Sequence, residues 1–336
     1  MNLKTEVNRF AMTVRGALGC IASAAALLSG IAAHAADAWP AKPIRIVVPV
    51  PAGSATDLTA RQLAPRLAQE LGQPVVIDNK PGADMGIGIV NAAKSPADGY
   101  TWLLVSSTLT SSAVLKKVAF DPAKDFAPVS LIGYAATVAV VPPALGVKTL
   151  DQFVALAKSK PGALNYANPA VGALGHLNTA LLAHATGIDM TSVIYKGSSP
   201  AMVDLVSNRV HFMMMPTGVA LPQTKGGTLL ALGVVGDARS PLYPNVPTLK
   251  ELGYPSVDLE AWMGILMPAG TPREIVLRAN AALNTALKEP AIKDAMEQAG
   301  LRVTPGGTPE AFAQQIRKDA VQWPKIFELA KIKRED

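Results

Sequence analysis

Few side chains in this sequence are placed to do covalent chemistry. It holds one cysteine, Cys20, and four histidines. Cys20 lies inside the apolar run that opens the chain. His176 and His184 are spaced so that one helix face could carry both, yet no carboxylates accompany them at metal-site spacing. His211 stands alone, and no G-x-S-x-G turn presents a serine nucleophile. Gly86-Ile87-Gly88-Ile89-Val90-Asn91 begins like a dinucleotide fingerprint but lacks the third glycine and a clear preceding strand. Met213-Met214-Met215 reads as a buried strand. No catalytic residue, metal or cofactor is therefore expected, and the chain does not read as an enzyme.

What the residues can do is hold an anion. Pro51-Ala52-Gly53-Ser54-Ala55-Thr56-Asp57 is a loop of small residues that lets a ligand approach the backbone. A helix follows at once, with Asp57 or Thr56 as its expected cap, so unpaired N–H groups and the positive end of the helix dipole face the loop. A second loop, Ser106 to Ser112, bears hydroxyls everywhere but at Leu109; Ser107 and Thr108 could bond a carboxylate without adding fixed charge. The third, Asn168-Pro169-Ala170-Val171-Gly172-Ala173, again opens a helix with small residues. A fourth, Lys196-Gly197-Ser198-Ser199, supplies Ser198 or Ser199 as a cap. Each loop also fits an ordinary capped or solvated turn.

The elements that must position these loops alternate along the chain. Strands are expected at 44–48, 75–77, 102–106, 137–141, 164–167, 192–195, 229–235 and 263–267. Helices are expected at 57–71, kinked at Pro65, and at 86–94, 150–158, 174–186 and 200–208. Beyond Pro272 the pattern is wholly helical, over 273–288, 290–299 and 308–332. Strand–helix alternation implies an α/β fold of parallel sheets covered by helices on both faces. Ligands bind such sheets where strands end and helices begin.

Lys4, Arg9 and Arg15, the apolar run Ala17 to Ala33, and Ala33-His34-Ala35 form an export signal with cleavage expected near Ala35. Removing residues 1–35 takes Lys+Arg from 31 to 28 and Asp+Glu from 25 to 24, leaving +4. That balance, with no long basic run, points away from nucleic acid and mildly favours anionic ligands. A hydrophobic fraction of 49% suffices for two cores without disulfides.

The stretches WPAKPIRIVVPVPAGSATD at 39–57, GQPVVIDNKPGADMGIG at 72–88, SPADGYTWLL at 95–104, YKGSSPAMVDL at 195–205, RSPLYPNVPTLKELG at 239–253 and AWMGILMPAGTP at 261–272 resemble the Bug (TctC-like) family of tripartite tricarboxylate transporter substrate-binding proteins. The resemblance implies a type II periplasmic binding protein. Its two lobes would each hold a mainly parallel sheet flanked by helices, hinged by crossing strands. The expected division is a signal over 1–35, a first lobe of 36–141 with 264–336, and a second lobe of 142–263. It implies a periplasmic monomer that captures a small carboxylate in the interlobe cleft for membrane transporter subunits; a sensor passing occupancy to a kinase is the alternative. The implied ligand residues are Pro51, Ala52, Gly53, Ser54, Thr56, Asp57, Ser107, Thr108, Asn168, Ala170, Gly172, Ala173, Ser198 and Met215.

Against the family's pattern, Ser54 stands where a second glycine is usual. Ala170 and Ala173 replace a glycine and a serine, and His211 and Met215 replace aspartates. Ala173 and Met215 motivate the expectation of a ligand less polar at one end, an aromatic or aliphatic monoacid.

Overall fold

The computed structural model of the chain describes residues 39–168, 171–195 and 198–333, without the side chains of 198 and 199. The expected signal, residues 1–35, lies outside them, as do Ala170 and the Ser198 side chain. Among the described residues no helix is long and apolar enough to cross a membrane.

The first sheet gathers β1 (Ile44–Val48), β2 (Val75–Asn79), β3 (Thr101–Ser106), β4 (Phe126–Ala135), β10 (Ala261–Pro268) and β11 (Leu301–Val303) in the order β11-β4-β10-β3-β1-β2. β1 is parallel to β2 and β3, whereas β10 is antiparallel to both β3 and β4. Helices α1 (Ala55–Leu71) and α8 (Arg273–Lys288) pack together on one side. The other face buries Val47, Leu103, Val105, Trp262 and Leu266 with Ile89 of α2 (Gly86–Ala93), Leu109 of α3 (Thr108–Leu115), and Phe312 and Ile316 of α10 (Pro309–Leu329). In α1, Leu63, Leu67 and Leu71 recur on the buried face, each contributing about 2 kcal/mol of burial. Pro65 does not end that helix: its position is exposed, so the carbonyl it cannot bond faces water.

The second sheet is built from β5 (Thr137–Val141), β6 (Asn165–Asn168), β7 (Thr191–Ile194), β8 (Met213–Pro216) and β9 (Leu230–Val234). β5 lies antiparallel between β8 and β9, and β6 is parallel to β7. A parallel bridge from Tyr166 to Phe212 joins the two groups. The order is thus β7-β6-β8-β5-β9. The first sheet contains the same connectivity as β2-β1-β3-β10-β4. In each, four parallel strands admit one antiparallel strand that arrives directly from the other sheet. Helices α4 (Leu150–Ser159) and α5 (Leu174–Thr186) cover one face, and α6 (Ser198–Val206) and α7 (Thr217–Lys225) flank the other. The remaining helix, α9 (Pro290–Gln298), precedes β11.

The chain crosses between sheets at Ala136 and again just before Ala261. The strand 137–141, assigned to the first lobe by the sequence division, pairs wholly in the second sheet, because β4 and β5 are separated by one residue and the chain changes sheets there. β4 itself escaped the sequence reading. Pro128 interrupts its pattern beside register shifts, and Gly133 is needed because a Cβ there would lie 2.3 Å from the Arg302 carbonyl oxygen of β11.

Candidate functional site

The first loop leaves β1 and enters α1 at the C-terminal edge of the sheet. Ser54, not Asp57 or Thr56, caps the helix: its Oγ accepts the Asp57 N–H at 3.3 Å. Asp57 instead braces the loop from beneath. Its buried carboxylate accepts Arg61 Nε at 3.0 Å, the Gly53 N–H at 2.8 Å and Asn79 Nδ2 at 2.9 Å. The Arg61 bond, helped by the Gly53 and Asn79 bonds, outweighs the cost of burial and holds its pKa down at about 2. With both oxygens engaged internally, Asp57 holds the first loop in place. Pro51, Ala52 and Gly53 are exposed and Ser54 and Thr56 half-buried. The first-turn N–H groups of Ala55 and Thr56 have no acceptor within the helix.

The second loop leaves β3, the hydrogen-bonded neighbour of β1, so the two loops stand side by side. Ser107 N–H donates to the Trp262 carbonyl of β10 at 2.9 Å. Its side chain makes no cap bond, which leaves the start of α3 without one. Ser106 Oγ and Thr108 Oγ1 lie 3.0 Å apart. Beneath them is a buried polar hub absent from the sequence reading. Asp319 of α10 accepts Thr110 Oγ1 at 2.6 Å, Trp262 Nε1 at 2.7 Å and Gln315 Nε2 at 2.7 Å. Trp323 Nε1 donates to Thr110 at 3.0 Å. A signal for it existed: Asp319 interrupts an otherwise apolar stripe running Phe312, Ile316, Trp323, Ile326 and Phe327.

The third loop leaves β6 at Asn168, whose carbonyl accepts Tyr195 N–H at 2.9 Å and whose buried Oδ1 has no partner among the described residues. Gly172 adopts φ +78°, which favours glycine. Its N–H donates to His176 Nδ1 at 3.1 Å. Burial lowers the His176 pKa, keeping Nδ1 free to accept that bond. The ring also stacks on Tyr166, with centroids 6.4 Å apart. His176 is therefore the loop's internal anchor. Ala173 caps α5 without a side-chain bond, so the helix opens with bare N–H groups. A Cβ on Gly172 would lie 3.7 Å from Leu115 of α3. The third loop thus stands against the helix that the second loop opens.

Met215 does not fit its expected role. It is fully buried on one face of β8 with Met213, among Val138, Ala201, Leu205 and Val234, while Met214 takes the opposite face. Period-two alternation turned its side chain into the second-lobe core. A cavity of about 990 Å³ lies away from all three loops, along α2, between Ile87, Val90 and the Lys116–Phe120 segment. Among the described residues no group of three His, Cys, Asp or Glu could hold a metal.

These loops expose N–H groups and hydroxyls, and the charged side chain within them, Asp57, is engaged internally. Residues 59–330 match the tripartite tricarboxylate transporter family receptor model. The chain belongs to that receptor family. It is 37% identical to protein BugT of Bordetella pertussis over 297 residues, covering 86% of this chain and 91% of that one. It is similar in structure to Rpa4515 of R. palustris with adipate, at TM-score 0.70 and 32% identity, over 88% of this chain and 99% of that one. It is also similar to MatC of Rhodopseudomonas palustris with bound malate, at TM-score 0.67 and 29% identity, over 86% and 99%. The receptor family is one of periplasmic solute-binding proteins, not enzymes, and the chain has their two-lobe type II fold.

Proposed function

We propose that this receptor captures a small carboxylate between its two lobes and presents it to the membrane subunits of a tripartite transporter. The observation that carries the reading is the set of three strand-to-helix loops offering main-chain N–H groups and hydroxyls, with Asp57 and His176 consumed in holding them. One carboxylate group would sit on the uncapped start of α5 at Gly172 and Ala173. The first-lobe loops, from Pro51 to Thr56 and at Ser107 and Thr108, would hold the ligand's other end. Asn168 would border the second-lobe side of this arrangement. Adipate and malate, each a diacid, in the related structures support a carboxylate ligand. With Met215 in the core, the expectation of an apolar ligand end rests on Ala173 alone.

The lobes would divide at the two crossings, with 42–135 and 261–333 in the first and 137–260 in the second. The chain would be exported, cleaved after Ala35 and monomeric. Amino-terminal sequencing and light scattering of the exported protein check these points.

The deciding experiment is a thermal-shift and calorimetric panel of adipate, malate, citrate and benzoate against residues 36–336. A ligand bound only by the folded state stabilises it by about 2.7 kcal/mol at a hundred times Kd. One acid raising Tm with a saturable heat supports capture; citrate outbinding benzoate removes the apolar-end reading. No shift across the panel rejects carboxylate capture by these loops.

A further inference from the structure

We propose that Asn178 is the positioning residue of the interlobe hinge, setting the resting angle at which the third loop meets the other two. The inference rests on the two-lobe capture reading. In the first sheet the two crossing segments run side by side, with Ala135 paired to Ala261. Immediately beyond that pair, the fully buried Asn178 of α5 reaches both segments. Its Nδ2 donates to Thr137 Oγ1 at 3.1 Å and to the Leu259 carbonyl at 2.9 Å. One amide from the second lobe therefore fastens the outgoing and returning strands together.

The helix that carries it cannot slide easily. A Cβ on Gly175 would lie 2.1 Å from the Met214 carbonyl oxygen, so α5 sits directly on β8, and Thr179 Oγ1 bonds back to the Gly175 carbonyl at 2.7 Å. The third loop ends at Ala173, about one helical turn before Asn178. The loop and the hinge are thus two ends of one short, fixed arm. The Oδ1 of Asn178 is buried without a partner among the described residues. Buried amides are ordinarily satisfied, so this hinge setting leaves the amide half-bonded, and another relation of the crossing strands could complete it. Bistable elements of this kind are what a ligand biases.

The test uses the ligand-free protein, so it reads the hinge whether or not any acid binds. Residues 36–336 contain no cysteine, because the single one is Cys20. Lys148→Cys in the second lobe and Lys288→Cys in the first, both exposed, therefore accept one spin label each. Thr137→Val and Asn178→Leu are expected to shift or widen the interlobe distance distribution. Thr186→Val, which removes a buried bond to the Leu182 carbonyl at the far end of the same helix, should lower Tm but leave the distribution unchanged. Thr137→Val, the milder change, carries the test if Asn178→Leu does not fold. A distribution identical to the parent's in the hinge variants, with only Tm lowered, overturns the proposal and leaves Asn178 a core polar residue.

Discussion

Asp57 holds the first loop together from within the protein. Its carboxylate joins the Gly53 N–H, Asn79 and Arg61 into one brace. Removing it leaves those donors facing each other, so Asp57→Ala should cost about 2 kcal/mol in urea unfolding. The folded-state pKa is depressed to about 2. Its stabilisation is therefore complete above the ordinary carboxylate range and lost as pH falls toward 2. Asp57→Asn should flatten the acid limb of the Tm–pH curve in that window. His176 works at higher pH and in the same direction. Burial lowers its pKa, so the unfolded chain takes up a proton before the folded one does, and stability falls as pH drops below about 6.5. His176→Phe keeps the stacking partner for Tyr166 and should reduce that dependence, read by calorimetry between pH 7 and 5; an unchanged profile would assign the slope elsewhere, for instance to His211.

At the scale of elements, α5 is the helix whose start does the most with the least chemistry. Ala173 supplies no cap, and Ser or Asp there would be worth about 1 kcal/mol. Ala173→Ser should therefore raise the ligand-free Tm by a few degrees, and no rise would mean that the start of α5 is already satisfied. The last helix, α10, joins both lobes: Phe312 and Ile316 enter the first core, and Trp323, Ile326 and Phe327 enter the second. Asp319 between them ties α10 to the second loop through Thr110 and Trp262. Asp319→Ala strands those donors in a dry site and should cost about 3 kcal/mol in urea unfolding. A loss below about 1 kcal/mol would show that water replaces the carboxylate.

Across the whole molecule, one topology is used twice, and each copy lends a strand to the other. The two crossing segments run side by side, with Ala135 paired to Ala261. Arg302 of β11 adds a brace, gripping Glu260 at 2.8 and 3.1 Å beside the second crossing. Its guanidinium lies over the Tyr134 ring at 5.3 Å. Burial pushes the Glu260 carboxyl up and Arg302 pulls it back. Saturating ligand should draw the lobes together, so X-ray scattering should give a smaller radius of gyration for the bound protein than for the free one. Equal radii would mean that capture proceeds without closure.

Much of this was legible in the residues themselves. Periodicity located β1, β5, α5 and α8 almost to the residue, because each is buried in a regular pattern that hydrophobicity records directly. The three loops of small or hydroxylated residues opening helices were visible in the sequence, and the family stretches supplied the type II fold. Other features depended on partners remote in the chain. The Asp57 brace needs Asn79, and the Asp319 hub needs Thr110 and Trp262. Met215 reads as a pocket residue until the register of β8 turns it inward. β4, broken in sequence by Pro128 and Gly133, is a strand only because β10 and β11 pair with it. Local order is written in local pattern, whereas burial and hydrogen-bond satisfaction are set by which distant segments meet, and only the tertiary structure decides that.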